Sequence, residues 1–175
     1  RPFRGLDKAG ANVACAADEK KAPAAFVWKT IADPFAGRIT MFRVISGVLK
    51  SDSTVMNKTR DSQERLGHLI VLQGKTQTPV PEIKAGDLGA VAKLKDTLTN
   101  DVLGDKADQT TFPAIKFPEP VLAYAIEPKT RGDEDKISTS MHRLEEEDPS
   151  IHYSRDPQTK ELLLSGQGQL HIEVA

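Results

Sequence analysis

A single cysteine, Cys15, leaves the chain without a partner for an internal disulfide and without the second thiolate of a cysteine zinc site. Aromatic residues make up only 5% of the sequence, so a core must rest on Val, Ile, Leu and Ala. No apolar run approaches the roughly 18 residues needed to span a bilayer as a helix. The start, Arg1-Pro2-Phe3-Arg4-Gly5, has no apolar stretch of the kind a signal peptide carries. The expected location is therefore the cytoplasm, with no membrane partner. A net charge of -1 gives no global pull toward nucleic acid, which confines any RNA contact to a local basic face. An initiator Met is also missing, and the sequence stops in an apolar pattern at Val174-Ala175, which predicts a piece excised from a longer chain.

What is present is the composition of a soluble fold: 38% apolar and 28% charged residues, too apolar for a disordered chain. Residues 1–24, rich in Ala, Lys and Asp, show neither period and read as a linker or arm. From Ala25 the pattern is that of strands. Phe26–Ile31 alternates, with Phe26, Trp28 and Thr30 on one side, and Arg38–Ile45 follows the turn at Asp33-Pro34-Phe35-Ala36-Gly37. Further strands are expected at Thr54–Met56, from Arg65 to Leu72, at Leu88–Ala92 and at Asp101–Leu103. Many short strands with Gly, Pro and Asp punctuation predict a β-barrel over 25–113.

Phe117-Pro118-Glu119-Pro120 is a stiff connector, because each proline fixes φ and holds its predecessor extended. A second domain is expected over 117–175. It comprises a strand at Val121–Ile126, a helix at Asp133–Glu147 with Ile137, Met141 and Leu144 on one face, a hairpin of Ile151–Arg155 with Glu161–Ser165, and a helix from Gln169. The order βαββα lacks the last strand of a ferredoxin-like βαββαβ unit, so this α+β domain reads as truncated. The fold class is thus mainly β: a barrel, then a partial ferredoxin-like domain.

Several strings carry a resemblance. Asp33-Pro34-Phe35-Ala36-Gly37-Arg38, Arg43-Val44-Ile45-Ser46-Gly47-Val48-Leu49-Lys50 and Lys84-Ala85-Gly86-Asp87-Leu88-Gly89-Ala90-Val91 resemble the second domain of elongation factor G. Phe117-Pro118-Glu119-Pro120-Val121, Ala125-Ile126-Glu127-Pro128-Lys129-Thr130, Glu146-Glu147-Asp148-Pro149-Ser150 and Ser165-Gly166-Gln167-Gly168-Gln169-Leu170-His171-Ile172-Glu173 resemble its third. Two departures stand out. Asn100 begins Asn100-Asp101-Val102-Leu103 where the family usually has Gly, and Asn tolerates the positive φ such a turn needs. Gln169 replaces an acid, a wording similar to that of diverged copies of elongation factor G.

The resemblance implies a ribosomal translocation GTPase, of which this is a middle fragment coupling nucleotide state to the ribosome. GTP and Mg²⁺ would then belong to a GTPase domain outside this sequence, with no cofactor in the fragment itself. The implied partners are the ribosome, through small-subunit RNA and ribosomal protein, and the parent's own GTPase domain. Lys129, Gly168, Gln169, His171 and Glu173 are implied as interdomain or ribosome interface residues. His171 reads equally as packing for the second helix. The rival readings are another translational GTPase, either a release factor of that type or a ribosomal protection protein, and a stand-alone RNA- or protein-binding barrel.

No catalytic set is expected. Gly74-Lys75-Thr76 mimics the end of a P-loop, but Leu69 stands where the first Gly is required, which leaves a loop between strands. Asp101-Val102-Leu103-Gly104 matches a GTPase D-x-x-G with nothing beside it. His68, His142, His152 and His171 are scattered, with no two at metal-ligand spacing. The informative residues are basic. Between 38 and 65 lie Arg38, Arg43, Lys50, Lys58, Arg60 and Arg65 against Asp52, Asp61 and Glu64, a balance of +3, whereas 127–161 carries -4. Arg38, Lys50, Lys58, Arg60 and Arg65 are the candidate contacts to RNA phosphates, wherever they are exposed. Phe35, at the tip of its turn, reads either as a contact for a neighbour or as a buried loop anchor.

Overall fold

The computed structural model describes residues 3–7, 9–33, 35–108, 110–128, 130 and 132–175, in 134 and 135 the backbone only. The chain divides into two compact units, Arg1–Ile115 and Lys116–Ala175.

In the first unit the alternating segments become β3 (Ala24–Asp33) and β4 (Gly37–Ser46), an antiparallel pair around which the other strands assemble. They are joined by β5 (Val48–Lys50), β6 (Thr54–Asn57), β7 (Ser62–Arg65), β8 (Leu69–Gln73), β9 (Thr76–Val80), β10 (Glu82–Lys84), β11 (Leu88–Ala92) and β12 (Val102–Gly104). Eight of these form one antiparallel sheet in the order β7-β6-β12-β3-β4-β11-β8-β9, and β5 pairs with β10 beside it. Ala25, Val27, Phe42, Val44, Leu49, Val55, Leu66, Leu69, Ile83, Val91, Leu94 and Leu103 meet in one core. Most strands thus send a side chain to the same centre, as in a barrel.

Four differences from the sequence pattern have physical causes. Val27 and Thr30 are both buried while Trp28 is 38% exposed, because a bulge between Val27 and Lys29 breaks strict alternation. The expected strand from Arg65 to Leu72 is interrupted: β7 ends at Arg65, and Leu66-Gly67-His68 turns the chain into β8. Strand β9 contains Pro79, which a ladder tolerates only at an edge. β9 is the last strand of the sheet, so Pro79 fits there. Residues 1–24, expected as an arm, include a hairpin of β1 (Phe3–Leu6) with β2 (Asn12–Cys15), tied back by a bridge from Leu6 to Thr111. Its strands are four residues long, β2 is largely exposed and the one buried residue of β1 is Gly5, so no apolar alternation marks them in the sequence.

Gly47 closes the β4–β5 turn at φ +70°, and an added Cβ would lie 2.5 Å from the Pro23 Cα; conformation and space both demand glycine.

The second unit follows the expected order: β13 (Leu122–Ile126), α1 (Glu134–Glu147), β14 (His152–Arg155), β15 (Leu162–Gly166) and α2 (Gln169–Val174). Its strands pair as β13-β15-β14, all antiparallel, and β13 has no partner on its other edge among the described residues. Ile137, Met141 and Leu144, the apolar face of α1, are half-buried.

Candidate nucleic-acid interface

The basic group found in the sequence is sorted by the fold into members that are spent inside the barrel and members that face water. Lys58 is spent: its side chain is 7% exposed, and its ammonium donates to Asp108 at 3.0 Å. Burial works against ionisation of Asp108, but hydrogen bonds from Thr110 and Lys58 outweigh it and hold the carboxyl below its usual range. Lys58 is therefore a structural cation and is removed from the candidate phosphate contacts. Arg60 is half spent. Its Nε donates to the buried Asp101 carboxylate at 2.7 Å, which also accepts from the Asn57 amide and the Leu98 N–H. That network also accounts for the D-x-x-G string, since Asp101 serves the barrel interior. Gly74 and Lys75, from the P-loop-like string, form the turn between β8 and β9.

The remaining cations gather because of an acid. Glu64 on β7 is 2% exposed, and its carboxylate accepts hydrogen bonds from the Lys95 N–H, the Asp96 N–H and the Thr97 hydroxyl at 2.8–3.1 Å. This draws the segment after β11 across β7. Arg38 fastens the same segment from the other side, its guanidinium donating to the Lys95 carbonyl and its carbonyl accepting from the Lys93 N–H. The result is an open cleft of about 630 Å³ to which Arg65, Lys93, Lys95 and His68 contribute. Arg65, Lys93 and Lys95 are exposed, and the one acid among the described lining residues, Glu64, has its charge turned into the backbone. A concave surface carrying several exposed cations with the local acid satisfied suits phosphate oxygens.

Sequence reading missed Lys93 and Lys95, because they belong to a stretch of mixed charge and only the Glu64 bond shows which way that stretch folds. Lys50 is exposed at the end of β5, opposite Glu82 in register, and does not line the cleft. Phe35 is 97% exposed, which excludes the buried anchor. Its turn is held by Asp33, whose carboxylate accepts from the Ala36 and Phe35 N–H groups and is kept below its usual pKa by those two bonds.

In the second unit, His171 uses both ring nitrogens. Nδ1 accepts from the Gln167 N–H at 3.1 Å, so Nε2 carries the proton and donates to Asp148 at 3.1 Å. The Gln167 amide in turn donates to the carbonyls of Pro118 and Glu119. Burial opposes the charge on Asp148, yet bonds from Ser150 and His171 prevail and hold its carboxyl below the usual range. Of the two readings of His171, the fold thus supplies internal partners for the packing one. Gln169 donates to Glu173 at 2.7 Å, a bond an acid at 169 could not make. Gly168 has extended backbone and open space where a Cβ would stand, so nothing in this unit requires glycine there. Lys129 lies outside the described residues. Among the described residues no group of three or more His, Cys, Asp and Glu could hold a metal ion, and no helix is long and apolar enough to cross a membrane.

Comparison with known proteins agrees with this architecture. The family model described as elongation factor G domain 2 matches residues 22–106, and the one described as elongation factor G, domain III, matches 117–175. A crystal structure from Thermus thermophilus superposes on 88% of this chain with a TM-score of 0.77 and 34% identity. The chain spans 23% of the length of that protein. Two consecutive domains matched in order, with a barrel followed by an α+β unit, place the chain in the elongation factor G family as a segment holding domains II and III.

Proposed function

We propose that this segment is the ribosome-contacting middle of a translocation GTPase, and that its barrel meets ribosomal RNA through the cleft of Arg65, Lys93 and Lys95. The observation that carries the reading is the bonding of Glu64, which concentrates exposed cations on one face of a nearly neutral chain. Contacts of this kind give affinity and position without reading sequence. GTP hydrolysis, with its Mg²⁺, belongs in this reading to a part of the parent outside these two domains. The second unit relays nucleotide state, with Gly168, Gln169 and Glu173 near its free surface, and the parent works in the cytoplasm.

The test is co-sedimentation of the intact parent protein with ribosomes over a range of salt. Arg65→Glu with Lys93→Glu should weaken binding and lower the salt slope, by about 0.7–0.9 for each phosphate that is no longer neutralised. Lys50→Glu, outside the cleft, should change neither. Equal slopes for the wild type and the double variant would remove the cleft from the interface.

A further inference from the structure

A second exposed surface of the barrel has a different chemistry. The bulge in β3 leaves Trp28 partly exposed, and Phe26, Trp28 and Leu88 form an apolar floor, Leu88 being 56% exposed. Phe3 and Phe112 stand at its sides, Phe112 edge-on to Phe26 with ring centroids 6.2 Å apart. The space between is about 550 Å³, and among the described residues the charged groups lining it are Arg4 and Arg43. The Arg43 guanidinium lies 4.7 Å over the Phe3 ring, and its Nε donates to the Gly86 carbonyl, so its position is set before anything binds.

We infer that this groove docks a protein segment bearing an aromatic or aliphatic anchor flanked by carboxylates. Apart from the two guanidinium groups and the indole N–H, every described side chain lining it is hydrocarbon. An apolar side chain entering it leaves no polar group unpaired, whereas the edge of a nucleobase would lose its bonds to water without replacement. Among the described residues no acid lines the groove and two cations do, so the complementary flank is negative. A nucleic-acid strand calls for a track of cations along its phosphates, and the described cations here are two. Among the described residues the groove shares no lining residue with the cleft of Arg65, Lys93 and Lys95, so either assignment can fail alone.

Trp28 is the only tryptophan in the chain, and its emission reports on the groove directly. The 175-residue chain is titrated with three probes: a short peptide with central Phe and Leu between Asp and Glu, the same peptide with Lys for each acid, and a short oligouridylate. The acidic peptide should produce a saturable blue shift that the basic one does not. Arg43→Glu should weaken that binding about tenfold. Arg4→Glu and Leu88→Ser, both at exposed positions, should weaken it with unchanged far-UV circular dichroism and serve if Arg43→Glu perturbs the fold. Equal response to both peptides, no saturable response to the acidic peptide, or a saturable response to the oligouridylate alone would each overturn the assignment.

Discussion

The two units are held together in different ways. The barrel owes its order to carbon: Phe42, Val44, Leu66, Leu69 and Leu103 are among a set of fully buried side chains drawn from most of its strands. In the second unit Ile151 and Leu164 are the buried apolar residues, and the helix face of Ile137, Met141 and Leu144 is only half-covered. What that unit has instead is a chain of polar bonds running from Ser150 through Asp148, His171 and Gln167 to the Pro118 and Glu119 carbonyls. Apolar burial is non-directional and tolerates approximate positions, while hydrogen bonds depend on distance and protonation. The barrel should therefore respond to lost volume, and the second unit to lost partners and to pH.

The strongest way to break this comparison is Phe42→Ala. Removing a fully buried ring should cost about 3–5 kcal/mol, read as a lowered midpoint for amide signals of residues 24–104 in a melt followed by NMR. The signals of 122–174 should keep theirs. Parallel loss in both units would show that they do not melt as separate bodies.

His171→Ala asks the converse question. It leaves the Gln167 N–H and the Asp148 carboxylate without their partner, which should cost the second unit about 1–2 kcal/mol and leave the barrel midpoint in place. Acid sharpens the same contrast. The folded pKa of Asp148 is lowered, so its contribution is complete above the unfolded carboxylate value of about 4 and is lost as pH falls through the lower folded value. Asp148→Asn should flatten the acid limb of the second unit's stability, measured by the same signals at falling pH. An unchanged limb would assign the acid sensitivity elsewhere. The smallest effect is expected for Gln169→Glu, which sets two carboxylates at i and i+4 in place of the bond to Glu173 and should cost a few tenths of a kcal/mol, about 0.3, in thermal melts.

Much of this architecture was legible in residue order. The alternation of Arg38–Ile45, the helix of Glu134–Glu147 bounded by Asp148-Pro149 and the hairpin about Asp156–Lys160 all follow from local rules that the tertiary structure does not override. The bulge at Trp28 was not legible, because period-2 patterning assumes that no residue is inserted. Nor was the hairpin of β1 and β2, whose short strands bury only Gly5 and carry no apolar alternation. For the cleft, charge counting found Arg65 but counted Lys58 as available and Glu64 as an opposing charge. Which cation meets which acid is a matter of three-dimensional pairing, and no spacing rule states that Lys58 faces Asp108 or that Glu64 faces the backbone of Lys95.

One side chain has a mechanical consequence. Asn100 stands at φ +77°, so it meets the demand for which the family usually has Gly. It also does what glycine could not, donating to the Ile115 carbonyl at 3.1 Å and accepting from the Ile115 N–H at 2.7 Å. The last strand of this unit ends at Gly104, eleven residues before Ile115. With Thr111 bridged to Leu6 and Ile115 clasped by Asn100, both positions are tied to the first unit, whose last residue is Ile115. Exchanging Asn100 for glycine would keep the turn and release Ile115.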